Sequence, residues 1–176
     1  MLLKQFDINL KLNAYYETIQ VSPLNDSIKN LISSAGLLIK PLANDNNFLH
    51  VKPITSNVSK SQIGLLLKAK EQITWLNLSN KNINDDMLKI VGQLHNLTRL
   101  KLNNNPITDL GISYLENLNH LEVLNLYGSS VTEKSIVYLK QMKGLKRLYI
   151  WQTEISDEGI QELNRELPDL DVFDGV

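Results

Sequence analysis

One spacing constrains this chain more than any other: Ile73, Leu97, Leu121 and Leu145 stand 24 residues apart, and each opens the same run of apolar and polar positions. The run reads Ile73, Leu76, Leu78, Lys81, Ile83 in the first copy and Leu97, Leu100, Leu102, Asn105, Ile107 in the second. Leu121, Leu124, Leu126, Ser129, Val131 and then Leu145, Leu148, Ile150, Thr153, Ile155 complete the series. A unit this short cannot enclose a core of its own, so units of this kind stack and bury one another.

Within each copy the alternation Leu76-x-Leu78 and its equivalents predicts a short strand, its leucines pointing inward and the residues between them facing the other side. A helix start follows. Asn84, Thr108, Thr132 and Ser156 are N-cap types, and Asp85, Asp109, Glu133 and Asp157 beside them suit the positive end of a helix dipole. Apolar residues then recur at helical spacing, as in Met87, Ile90, Val91 and Leu94, or Ile136, Leu139 and Met142.

Degraded units flank the regular ones. Upstream, Phe48-x-x-Val51-x-Pro53 lies 25 residues before Ile73, with Ser59 to Leu67 as its helix. Pro53 cannot donate to a sheet ladder, which suits an edge strand. Downstream, Leu170-x-x-Phe173 reads as the start of another unit, and Asp169, Asp171 and Asp174 charge this last strand against further pairing. The array reads as complete at that end. Before Phe48, Ser22-Pro23 opens a helix through Ile28, Leu31 and Ile32 that Gly36 closes. Leu37 to Pro41 then runs into an Asn44 to Asn47 turn and returns along Phe48 to Val51, a hairpin covering the first strand of the array. Residues 1–21 read as linker or an additional cap. The chain therefore divides into a linker and helical cap over 1–36, a hairpin with a degenerate first repeat over 37–72, and four regular repeats with a capping strand over 73–176.

Composition narrows the chemistry. With no cysteine, the chain carries no disulfide framework, thiolate metal site or cysteine nucleophile. A net charge of -1 argues against a nonspecific nucleic-acid binder. No run approaches the roughly 18 apolar residues of a membrane span, and Met1 to Asp7 lacks the basic and apolar regions of a secretory signal. His50, His95 and His120 fall near unit ends without a third ligand at metal-binding spacing, so no metal site is expected. No phosphate loop, nucleophile elbow or H-E-x-x-H occurs, and nothing points to a cofactor or an enzyme.

The L-x-x-L-x-L-x-x-[polar]-x-[Ile/Val] units resemble leucine-rich repeats. That resemblance implies an α/β solenoid with parallel strands on a concave face and helices on a convex one. Ile107-Thr108-Asp109-Leu110-Gly111-Ile112 and Ile155-Ser156-Asp157-Glu158-Gly159-Ile160 are similar to the I-T-D-x-G-L starts of the cysteine-containing subtype, whose cysteine is replaced here by Lys81, Asn105, Ser129 and Thr153. The closing Leu148 to Thr153 run and Glu166 to Leu170 resemble the last repeat of bacterial proteins that join a membrane-embedded segment, a cytochrome-c-like domain and a C-terminal leucine-rich array. This would imply an extracytoplasmic, periplasmic domain cut from a longer chain. The absence of a signal otherwise reads as cytoplasmic.

If the strand leucines point inward, the residues between them form the concave surface. Trp75, Arg99, Lys101, Asn103, Asn125, Tyr127, Arg147, Tyr149 and Trp151 are the candidate partner-binding residues, and no acid stands among the sixteen concave positions from Trp75 to Gln152. Trp, Tyr and Arg are the residue types that dominate binding hot spots. The expected function is recognition of a protein, an acidic one included, or of a glycan, centred on Trp151, Tyr149, Tyr127 and Arg147. Intramolecular docking onto upstream domains of a membrane-anchored electron-transfer protein is the alternative.

Overall fold

The computed structural model describes residues 19–43 and 46–175. In chain order its elements are α1 (Asp26–Ser34), β1 (Leu37–Pro41), β2 (Leu49–Pro53), α2 (Lys60–Leu65), β3 (Ile73–Asn77), α3 (Asp85–Val91), β4 (Arg99–Lys101), α4 (Asp109–Ser113), β5 (Val123–Asn125), α5 (Ile136–Leu139), β6 (Arg147–Tyr149), α6 (Asp157–Glu166) and β7 (Asp171–Phe173). The strands form one sheet in sequence order, parallel throughout except for the antiparallel β1–β2 hairpin. This is the expected α/β solenoid. Leu76, Leu100, Leu124 and Leu148 lie side by side and inward, each fully buried or nearly so. One apolar core runs the length of the stack from Leu24 to Leu170. Among the described residues no helix is long and apolar enough to cross a membrane.

After each strand the backbone ladder continues for one more turn, through Asn80, Asn104 and Gly128, whose N–H groups donate to Asn103, Tyr127 and Trp151 of the next unit. At Asn80, Asn104, Gly128 and Gln152 the chain bends through the left-handed region, with φ of 56°, 54°, 65° and 55°. Asparagine and glycine tolerate that region best, which accounts for three of these four positions. Asn105 follows as a buried polar plug. Its Oδ1 accepts from the N–H groups of Lys81 and Ile83 at 3.0 and 2.9 Å, and its Nδ2 donates to the carbonyls of Leu78 and Leu102 at 2.9 and 2.7 Å.

The helix starts carry a second tie between units. Each N-cap side chain accepts from its own first turn as expected, but the adjacent acid reaches the next unit. Asp85 accepts from Thr108 N–H at 2.9 Å and from its hydroxyl at 2.6 Å; Asp109 does the same for Thr132, and Glu133 for Ser156. Glycine at Gly111 and Gly159 makes room for this clasp, because a Cβ there would collide with the carboxylates of Asp85 and Glu133. The Thr-Asp-x-Gly string thus describes one acid gripping the next unit and one glycine admitting the previous acid. Asp109→Ala is expected to lower stability by about 1–3 kcal/mol, since it strands the Thr132 N–H and hydroxyl and removes two charge-assisted bonds. Chemical denaturation checks this, with the exposed Asp26→Ala, which lacks such a tie between units, as a near-neutral control.

Three local readings are corrected, and one is made precise. The first helix starts at Asp26, capped by Asn25 rather than opened at Ser22-Pro23, because Asn25 Oδ1 accepts from Ser27 N–H at 2.8 Å while buried Leu24 holds the approach chain down. Pro53 does not mark an edge: β2 lies between β1 and β3. It is tolerated because pairing with β3 ends at Val51–Leu76 and the flanking bonds, Ile54 N–H to Gly36 and Leu42 N–H to Phe48, leave Leu37–Pro53 a non-bonded pair of the hairpin. The 25-residue offset of the first unit holds at His50–Trp75 and Val51–Leu76, set by a shift after Leu49–Ile73 that leaves buried Thr74 as the extra residue. At the other end the offset from Leu145 to Leu170 closes to 24 along the strand, so Val172, not Phe173, lies beside Leu148. Phe173 turns to the opposite face. Residues 1–18 and the Asn44-Asp45 part of the turn lie outside the described residues.

Candidate functional site

The concave face is built by register. Trp75, Arg99, Val123, Arg147 and Asp171 form one row across β3 to β7, and Asn77, Lys101, Asn125, Tyr149 and Phe173 form the next. Ser79, Asn103, Tyr127 and Trp151 follow in the turns, so every sequence-predicted site residue lies on this surface. The aromatic groups meet in stacks between neighbouring strands: Tyr127 on Trp151 at 5.3 Å and 29°, and Tyr149 on Phe173 at 4.6 Å and 12°. Trp151 remains 52% exposed and Phe173 42%. Nearer the hairpin, the Arg99 guanidinium sits 4.2 Å from the centre of the Trp75 ring and His50 meets the same ring edge-on at 6.0 Å. The polar positions knit into the surface. Ser79 Oγ lies 2.7 and 2.6 Å from the side-chain oxygens of Asn77 and Asn103, and Asn125 Oδ1 accepts from Tyr127 N–H at 3.0 Å. Arg147 Nε is buried with no hydrogen-bond partner among the described residues.

The structure extends the face beyond the predicted residues at both ends. Phe173 and Asp171 join it through the 24-residue register of β7, so the face is not free of acid: Asp171 stands beside Arg147. At the hairpin end, Lys40 pairs with His50 and Leu38 with Lys52, which puts Lys40 and Lys52 on the Trp75 side. Extending the L-x-L register to Val172 would have exposed the first addition; the hairpin lysines depend on a pairing that sequence alternation alone does not set.

Burial, followed by the fields of Lys52, Lys40 and Lys101, lowers the pKa of His50 below its ordinary 6.5. On unfolding the ring regains that ordinary value, so the unfolded chain takes up this proton first as the pH falls. Stability therefore drops from about pH 6.5 downward and this loss levels off once the folded ring protonates. The wild type is expected to lose more stability than His50→Gln between about pH 7.5 and 5. Equal losses in parallel urea titrations would contradict the assignment.

Elsewhere, a shallow cleft of about 200 Å³ opens where Asn119, His120, Glu122, Lys143 to Lys146 and Asp169 approach the starts of β5, β6 and β7. Its glutamate is paired with Lys146. Among the described residues no group of His, Asp or Glu is arranged to hold a metal ion.

Residues 95–156 match the family described as leucine rich repeat. The internalin inlF of Listeria monocytogenes superposes with a TM-score of 0.55 at 28% identity, over 64% of this chain and 31% of that one. The fold is a leucine-rich-repeat solenoid. A second internalin of the same organism, inlC2, gives a TM-score of 0.52 at 28% identity over 62% of this chain and 44% of its own. A leucine-rich-repeat protein of Leptospira interrogans shares the fold at a TM-score of 0.50 and 21% identity, over 66% of this chain and 33% of that one. The chain spans less than half the length of the internalins it matches. No curated protein matches it. Leucine-rich-repeat domains act generally in protein–protein interaction and are typically noncatalytic.

Proposed function

We propose that this solenoid is a noncatalytic recognition module that holds a protein partner against its concave face. The observation that carries the reading is the pair of solvent-facing aromatic stacks, Tyr127–Trp151 and Tyr149–Phe173, on the face that solenoids offer to partners. Rigid aromatic area that is already ordered costs little further entropy on binding, and the neighbouring Arg147 adds a positive charge to the same face. The stacking also favours a protein over a glycan. Sugars pack on open ring faces, whereas these rings turn faces on each other and leave apolar flanks. Within the family, the Thr-Asp-x-Gly clasp supports our reading of the units as the I-T-D-x-G-L subtype.

The double variant Trp151→Ala, Arg147→Ala is expected to weaken binding of the native partner, recovered from source cells, by at least about thirtyfold, the equivalent of roughly 2 kcal/mol for a hot spot. Val137→Ala on the convex side, itself an exposed apolar residue, should leave affinity unchanged. Unchanged affinity in the double variant with its fold intact would sink the proposal. Docking onto another part of a longer parent chain uses the same face and shows itself instead as protection of Trp151 in the full-length protein without any partner.

A further inference from the structure

Charge and aromatic surface are segregated along the solenoid. Lys40, Lys52 and Lys101 are exposed on the concave side of β1, β2 and β4, and Arg99 lies between them over Trp75. No Asp or Glu occupies a concave position on β1 to β4, although the whole chain carries 19 acids against 18 Lys and Arg. The only acid in the concave rows of the described strands is Asp171, at the far end on β7. The two aromatic stacks occupy that far half, on β6, β7 and the turns beyond β5 and β6.

Lys40 and Lys52 lie on adjacent strands about 4.8 Å apart, inside one Debye length of about 8–10 Å, and Lys101 lies two strands beyond Lys52, at about that length. Salt therefore screens them incompletely. His50 in their midst registers the result, since after burial it is Lys52, Lys40 and Lys101 that lower its pKa. A positive strip with no acid in the concave rows of the described strands β1 to β4 is complementary to carboxylates, which would also set the direction in which a partner lies.

Building on the protein-binding reading above, we propose that the partner is an extended acidic segment of a protein. Its carboxylates lie over the lysines of β1 to β4, and an apolar anchor rests on the Tyr127–Trp151 and Tyr149–Phe173 stacks. The middle of the basic strip, at β3, is three strand spacings from β6, or about 14 Å. An extended chain covers that distance in about four residues. The recognised pattern is thus a run of acids and an aromatic or aliphatic residue separated by about four positions.

The test uses a fluorescein-labelled peptide of about twelve residues with about four glutamates at one end and a Trp-Leu pair about four residues beyond them. Its lysine-for-glutamate counterpart and a shuffled sequence of the same composition serve as comparisons. Anisotropy is read on the wild type, on Lys52→Glu with Lys101→Glu, and on Trp151→Ala with Arg147→Ala, each checked for an intact fold by circular dichroism. The glutamate peptide should bind more tightly than both comparisons, weaken as salt rises, and lose at least about tenfold in the charge-reversed variant. No preference for the glutamate peptide would overturn the proposal. If charge reversal has no effect while the Trp151 variant still loses affinity, recognition by the concave face stands and its polarity falls; if neither variant loses affinity, both fall. Displacement of the peptide by a heparin oligosaccharide that binds the Trp151 variant and the wild type equally well would overturn it in favour of a sulfated glycan.

Discussion

Replacing Asn105 with alanine is expected to lower the unfolding free energy by about 3 kcal/mol or more, the largest effect of any polar substitution in the array. Asn105 is 3% exposed, and its amide serves two N–H groups and two carbonyls that the turn leaves without strand partners. Alanine would leave those groups buried, at about 1–3 kcal/mol for each that water cannot reach. The expected fall in melting temperature is about 6–12 °C for a chain of this size. Asn105→Asp should be nearly as damaging at neutral pH: it keeps the acceptor for Lys81 and Ile83 but turns a carboxylate on the carbonyls of Leu78 and Leu102. A change under 1 kcal/mol in urea titration would mean that Asn105 does not hold the two units together.

Leu124→Ala should cost a similar or larger amount, about 3–5 kcal/mol. Leu124 is fully buried at the centre of the inward leucine row, between Leu100 on β4 and Leu148 on β6. Each neighbouring unit packs on it, so the cavity weakens two interfaces at once, and a solenoid has few other contacts to absorb the loss. Leu110→Ala is the control: that leucine is 56% exposed on α4, and its removal should change stability by no more than about 0.5 kcal/mol. A denaturant slope that falls along with the midpoint in Leu124→Ala would show the two halves of the array unfolding separately.

The stacking unit and its inward leucines were legible because five positions keep phase through four copies, and phase is the one property that sequence displays directly. That Asn105 holds the polar position of its unit was legible for the same reason; the bonds it makes there come only with the stacked units. Features that depend on a change of phase were not. Phe173 looked inward when counted from Leu170, and only the pairing of β6 with β7 puts it on Tyr149. Lys40 and Lys52 were hidden by the run Leu37-Leu38-Ile39-Lys40, whose apolar residues fall on both faces, so the antiparallel register decides which side is concave. The carboxylate clasp lay out of reach as well. Asp85 and Thr108 are each explained locally by helix capping, and their bond exists only once consecutive units are stacked.

If recognition belongs to the concave sheet, a bound partner lies within crosslinking reach of that sheet. A photo-crosslinking amino acid placed at Asn125, in the middle of that face, and separately at Val137 on the convex side tests it most directly in cells of the source organism. Discrete adducts to a protein are predicted from Asn125, diminished by Trp151→Ala and absent from Val137. Adducts from Val137 with none from Asn125 would contradict it.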